Sequence, residues 1–199
     1  MLTAPGLLQV VDFRLVPWGN AYFSAVTGNK TYDRGAGMAA WLSTCGMGRA
    51  DPPEGCFDGP ILCQHGEDEC AGDAIEGCAI HALREEAAAY WPFIACFEAQ
   101  PLTPSAGGSP LRAMEACLEA VGYDRAAAEA IRSCVSDESA SRAVARANAE
   151  RTAALVPPHG GTPWILVDGE QTTGDLLQAV CKAYKGPAPA GCRGLAASR

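Results

Sequence analysis

Long apolar runs, lysine and closely spaced cysteine pairs are all scarce or missing in this sequence, and each shortage removes a class of function. No stretch approaches the roughly 20 consecutive apolar residues that a membrane-spanning helix needs, so no membrane role is expected. Lysine occurs only at positions 30, 182 and 185, and 23 acidic residues outweigh 15 basic ones for a net charge of −8. A strongly basic face cannot be built from that inventory, which argues against nucleic-acid binding. No two cysteines stand at C-x-x-C spacing. Residues 1–20 have no basic leader segment, and Asp12 interrupts their apolar stretch. They do not read as a signal peptide but as the end of a helix running into a strand.

What the chain does have is a large hydrophobic share, 48% of its 199 residues. That is enough for the core of one domain, or of one domain carrying an inserted subdomain. It also has ten cysteines, at 45, 56, 63, 70, 78, 96, 117, 134, 181 and 192. An even number spread along the chain points to structural disulfides formed in an oxidising compartment. Asn29-Lys30-Thr31 is an N-glycosylation sequon, which agrees with the secretory route.

Periodicity divides the chain. Residues 10–17 alternate Val11, Phe13 and Leu15 against Asp12 and Arg14, the pattern of a strand stopped by Pro17. Residues 18–60 are rich in Gly, Pro and Asp and read as loops with a short strand or hairpin, closed in part by Cys45 and Cys56. Helical spacing runs from about Glu67 to Leu155. A kink or break is expected at Pro92, with caps at Ser109, at Asp124 and at Ser136 or Asp137. From 162 to 171 the period changes to that of a hairpin around Asp168-Gly169. A final amphipathic helix over 173–186 carries Leu176, Leu177, Val180 and Tyr184 on one stripe.

The stretch LCQHGEDECAGDAIEGC, residues 62–78, concentrates the chemistry-bearing side chains. Cys63, His65 and Cys70 could be metal ligands, but zinc sites favour paired short spacings. A cysteine nucleophile would need His65, His81 or His159 as its base, and no local signature supports that pairing. The third reading is a disulfide-stapled turn entering a helix. Closing a loop of about 15 residues would restrict the unfolded chain by roughly 3 kcal/mol.

Cys63-Gln64-His65-Gly66, then Glu69-Cys70, Asp73 and Cys78 resembles the signature of the gamma-interferon-inducible lysosomal thiol reductase family. Asp73 stands where the family usually has asparagine. It keeps a short acceptor and loses the amide donor. Residues 15–21 (LVPWGNA), 148–155 (NAERTAAL), 157–170 (PPHGGTPWILVDGE) and 180–186 (VCKAYKG) fit the same resemblance, which therefore covers nearly the whole chain.

The resemblance implies an α/β, thioredoxin-like sheet with a large helical insertion. The thioredoxin-like part would be residues 1–61 and 156–199, and the insertion 62–155. It implies protein disulfide reduction in lysosomal, vacuolar or extracellular surroundings, with disulfide-bonded proteins as substrates, an external thiol as reductant and no cofactor or metal. The family's working dithiol is a C-x-x-C at the start of the first helix, where a helix N-terminus stabilises the thiolate. This chain has none, so no catalytic residue is assigned to it, and the first strand and dithiol are expected upstream of Met1. Thr162-Pro163 corresponds to the cis-proline loop that pairs with an extended substrate. Trp164 is expected in the core, and His65 and His159 as structural hydrogen-bonding groups. Cys181–Cys192 and Cys117–Cys134 are possible bridges, and Cys96 has no assigned partner. The other reading is a non-catalytic, secreted, disulfide-rich glycoprotein that keeps only the peptide-binding loop.

Overall fold

A computed structural model describes residues 4–193 and Leu195. Two compact units account for them: residues 15–159, and a smaller one made of residues before Leu15 and after His159.

The larger unit is built on helices. At its centre is α2 (Glu67–Ala82), against which α3 (Ala87–Phe97), α4 (Pro110–Val121), α5 (Arg125–Ser136) and α6 (Glu138–Ala153) pack. Their boundaries follow local chemistry. Ser109 accepts a hydrogen bond from the Arg112 amide with Pro110 in the first turn, and Gly122 ends α4 in the left-handed region at φ 73°. Asp124 caps α5 through the Ala127 amide. Asp137, not Ser136, caps α6 through the amides of Ser139 and Ala140. These caps satisfy amides that the first helical turn leaves without partners.

Of the kink or break expected at Pro92, the break lies elsewhere. The helix stops at 83–86, where Arg84 and Glu85 take φ of 58° and 59°, and Pro92 sits inside α3. Residues 18–60 also hold more helix than their composition indicates. A π-helical segment, Arg34–Ala39, runs into α1 (Ala40–Cys45). One of the glycines that disguise it has a packing role: a Cβ on Gly37 would overlap the Tyr22 ring and hydroxyl.

An aromatic cluster joins this segment to α6. Trp18 stacks on Phe23 at 5.3 Å, Trp41 meets Phe57 edge-on at 6.1 Å, and the Trp41 indole donates to the Cys56 carbonyl at 2.7 Å. Ala149 and Ala153 of α6 close the cluster. The short side chains of α6 let its backbone approach these rings. Strands β1 (Tyr22–Phe23) and β2 (Ile61–Leu62) pair antiparallel and bring residue 63 to the start of α2.

In the smaller unit, β3 (Leu166–Val167) and β4 (Glu170–Gln171) form the expected hairpin. Asp168 and Gly169 both take positive φ, 50° and 83°, as a two-residue turn of this twist requires. Helix α7 (Leu176–Ala183), capped by Asp175, follows and ends three residues before Gly186.

The strand expected over 10–17 is not formed. Residues 11–16 alternate in exposure, with Asp12 and Arg14 exposed, but belong to neither sheet. Alternation specifies an extended backbone; a strand also needs a ladder partner. The first part of the expected helix, residues 1–3, lies outside the described residues. Residues 4–10 form turns rather than a helix tail, with the Leu7 amide bonded to the Ala4 carbonyl and that of Val10 to Leu7. Among the described residues the architecture is thus mostly helical with two small antiparallel sheets.

Candidate functional site

The stretch from Cys63 to Cys78 is a knot in which nearly every distinctive residue has a structural task. Cys63 and Cys70 are bonded, with Cα atoms 5.6 Å apart, and clamp the loop that enters α2. Gly66 ends that loop at φ 91°, ψ −160°, a backbone position that a side chain would strain. The Glu69 carboxylate turns back to accept the His65 amide at 2.5 Å and lies 3.3 Å from the His65 ring nitrogen Nδ1. Gln64 accepts a hydrogen bond from the Asn20 amide at 2.7 Å, tying the loop to the segment before β1. Cys78 is fully buried and bonded to Cys134, which fastens α2 to α5.

All ten cysteines are paired and none is free. Cys45–Cys56 and Cys181–Cys192 form as the sequence indicates. The expected Cys117–Cys134 pairing is replaced by Cys96–Cys117, which joins α3 to α4, and by Cys78–Cys134. Helix docking decides this: Cys78 and Cys134 lie on facing sides of α2 and α5, with Cα atoms 5.6 Å apart. The Cys63–Cys70 bond also consumes the two sulfurs that a metal site here would need.

A group of carboxyls lies one to two turns along α2. Burial pushes the Asp73 carboxyl up to about 7, aided by the charges of Glu69 and Glu98. Glu76, only 8% exposed, is pushed up to about 9, first by burial and then by Glu98, with which its side chain shares a hydrogen bond, and by Asp73. Both therefore carry protons at mildly acidic pH. Glu76 escaped attention in the sequence. The available sign was a carboxylate three residues from Asp73, flanked by Ile75, Cys78 and Ala79 on a helix stripe that has to be buried.

Beside this group is a cavity of about 360 Å³. Cys63 and Cys70 form part of its wall together with Trp18, Asp73, Ser141 and Arg142. The Arg142 guanidinium sits 5.2 Å from the Phe23 ring centre and donates to the Gly59 carbonyl at 2.7 Å.

The other residues singled out in the sequence are not part of the 63–78 stretch. The Thr162–Pro163 peptide is cis, and both residues are exposed just before β3 in the smaller unit. Trp164 is half-buried and His159 is buried. Asn29 is half-buried, and its side-chain amide donates to the Tyr22 hydroxyl at 3.3 Å.

Residues 42–121 match the family model described as "Gamma interferon inducible lysosomal thiol reductase (GILT)". The chain is 32% identical over 193 residues to a gamma-interferon-inducible lysosomal thiol reductase of Carassius auratus, covering 94% of this chain and 61% of that protein. It is 33% identical over 132 residues to a gamma-interferon-responsive lysosomal thiol protein of Arabidopsis thaliana, covering 63% of this chain and 50% of that protein. Against the gamma-interferon-inducible lysosomal thiol reductase of Mus musculus the identity is 28% over 182 residues, covering 90% and 57%. The chain thus spans 50–61% of the length of these curated relatives.

Proposed function

Because this chain belongs to the gamma-interferon-inducible lysosomal thiol reductase family, we propose that it serves thiol–disulfide exchange, the reduction of protein disulfides by an external thiol in an acidic compartment of the secretory pathway. The observation that carries this reading is the match over 94% of the chain to a thiol reductase. The knot it includes supports the reading residue by residue: Cys63, Gln64, Gly66, Glu69, Cys70 and Cys78 each hold the entry to α2 in place. The acidic setting is supported by Asp73 and Glu76, whose raised protonation favours the folded state at low pH.

In this reading the chain is scaffold. Residues 62–155 are a helical insertion, and the hairpin–helix unit around α7 belongs to a thioredoxin-like part. Thr162 and Pro163 offer their backbone to an extended substrate segment at the mouth of the β3–β4 hairpin. The attacking dithiol is contributed by sequence other than these 199 residues, because exchange needs a thiolate and a resolving thiol two residues on, and every cysteine here is already paired.

The test is a chimera. The chain is joined to an N-terminal segment carrying a thioredoxin-type strand and a C-x-x-C helix start, and insulin disulfide reduction is followed at pH 5 with cysteine as reductant. Turnover by the chimera, abolished when both cysteines of the grafted C-x-x-C become serine, is expected. A folded chimera without turnover overturns the reading.

The complete pairing of the cysteines also favours a second reading, a non-catalytic secreted glycoprotein stapled by five disulfides and glycosylated at Asn29. A folded, inactive chimera is the outcome that reading predicts.

A further inference from the structure

We propose that the Cys63–Cys70 disulfide is itself a redox site, which opens reversibly to a small thiol entering the cavity beside it, with Asp73 as the proton donor. The proposal goes beyond the function above and does not require a C-x-x-C.

Four observations on the larger unit carry it. First, both cysteines form part of the wall of the same cavity, and its volume of about 360 Å³ is ample for a molecule of the size of cysteine. Second, the two residues differ in exposure: Cys63 is 3% exposed, whereas Cys70 is half-buried, which makes Cys70 the more accessible target. Third, Asp73 lies three residues after Cys70 on α2 and lines the same cavity, and Arg142 lines it from α6. Residues three apart share a helix face. Fourth, this disulfide spans the shortest separation of the five, 7 residues against 56 for Cys78–Cys134. Opening it releases the least chain entropy to the unfolded state, and α2 remains fastened through Cys78.

The step balances as follows. The thiolate of a small thiol attacks Cys70 Sγ, and a new S–S bond forms as the Cys63–Cys70 bond breaks. The electron pair leaves on Cys63 Sγ, which takes the Asp73 proton. A second small thiolate attacks the sulfur of the bound small thiol. The Cys70 thiolate leaves and takes one of the two protons that the incoming thiols gave up to solvent, while the other restores Asp73. Two electrons and two protons enter the protein, and one oxidised small disulfide departs.

Asp73 is suited to this step because burial and the neighbouring Glu69 and Glu98 hold its proton to about pH 7. Glu76 on α2 also couples to this group, and Glu138 and Arg142 of α6 line the same cavity. Opening of this bond is followed by alkylation of Cys63 and Cys70, whereas the chimera assay follows insulin reduction, so the two proposals are read separately.

The experiment exposes the 199-residue chain to graded cysteine/cystine mixtures at pH 5.5, 7 and 8.5. Acid quenching, alkylation and peptide mass spectrometry then locate each free thiol while circular dichroism follows the helices. The expected result is that Cys63 and Cys70 become alkylated first, with helix content unchanged, and re-form on oxidation. Another pair opening first, or all five opening together with loss of helix, would overturn the proposal. The proton-donor role is read from Asp73→Asn, which keeps the size of the side chain and cannot ionise. At equal thiolate concentration its opening rate should fall roughly tenfold or more at pH 5.5 and match the parent at pH 8.5. Equal rates at every pH would remove Asp73 from the step.

Discussion

Glu76 shows most sharply how one side chain departs from what its type leads one to expect. A carboxyl on the buried stripe of α2 loses its hydration, and Glu98 and Asp73 offer it negative charge rather than a cation. It answers by keeping its proton. The folded state therefore binds a proton that the unfolded chain releases between its ordinary value of 4.5 and about 9, and Asp73 does the same between 3.8 and about 7. Their contribution to stability is fully present below those ordinary values and is lost as pH rises through 7 and then 9. Thermal melts of the parent and of Glu76→Gln between pH 5 and pH 9 check this. Glu76→Gln, which cannot ionise, should flatten the decline and gain about 2–4 °C at pH 8 for each ~1 kcal/mol relieved. Identical slopes in the two proteins would show that Glu76 ionises freely. Other residue-scale features were plain in the sequence. Ser109, Asp124 and Gly122 cap where their types indicate, because capping is decided within four residues. The carboxyl group was hidden because its environment comes from α3 and from burial, neither of which is local.

Among the elements, local pattern succeeds where the partner is near in sequence and fails where docking chooses it. The β3–β4 hairpin and Cys181–Cys192 were legible because turn and bridge are set over a dozen residues or fewer. Cys134 was not, since Cys117 is 17 residues away and Cys78 is 56, and only the packing of α2 on α5 selects the more distant one. The same reasoning ranks the bridges. Replacing Cys78 and Cys134 by serine frees a loop of about 57 residues and costs about 4 kcal/mol in the chain-entropy account, whereas replacing Cys63 and Cys70 costs about 2.5. Melting midpoints of the two double variants should fall in that order. A larger loss for the Cys63–Cys70 pair would mean that the knot, rather than the α2–α5 staple, holds the bundle. Segment 34–45 was obscured differently: Gly35 and Gly37 lower its helix propensity, and the close approach of Tyr22 requires the second of them.

At the scale of the molecule, helical content and the use of the cysteines in structural disulfides were readable, and the sheet and the full connectivity were not. A sheet is a relation between distant segments, and residues 10–17 carry the alternation of a strand without a described neighbour in either two-stranded ladder. The chemistry follows the same division. Ten sulfurs in five pairs make a rigid frame with no thiolate ready to attack a protein substrate. The most direct measurement is insulin reduction by the 199-residue chain alone, with cysteine as reductant at pH 5. The account predicts a rate indistinguishable from cysteine alone, with all five disulfides found by peptide mapping before the assay. Catalytic turnover by this chain, lost on substitution of any of its own cysteine pairs, would contradict it.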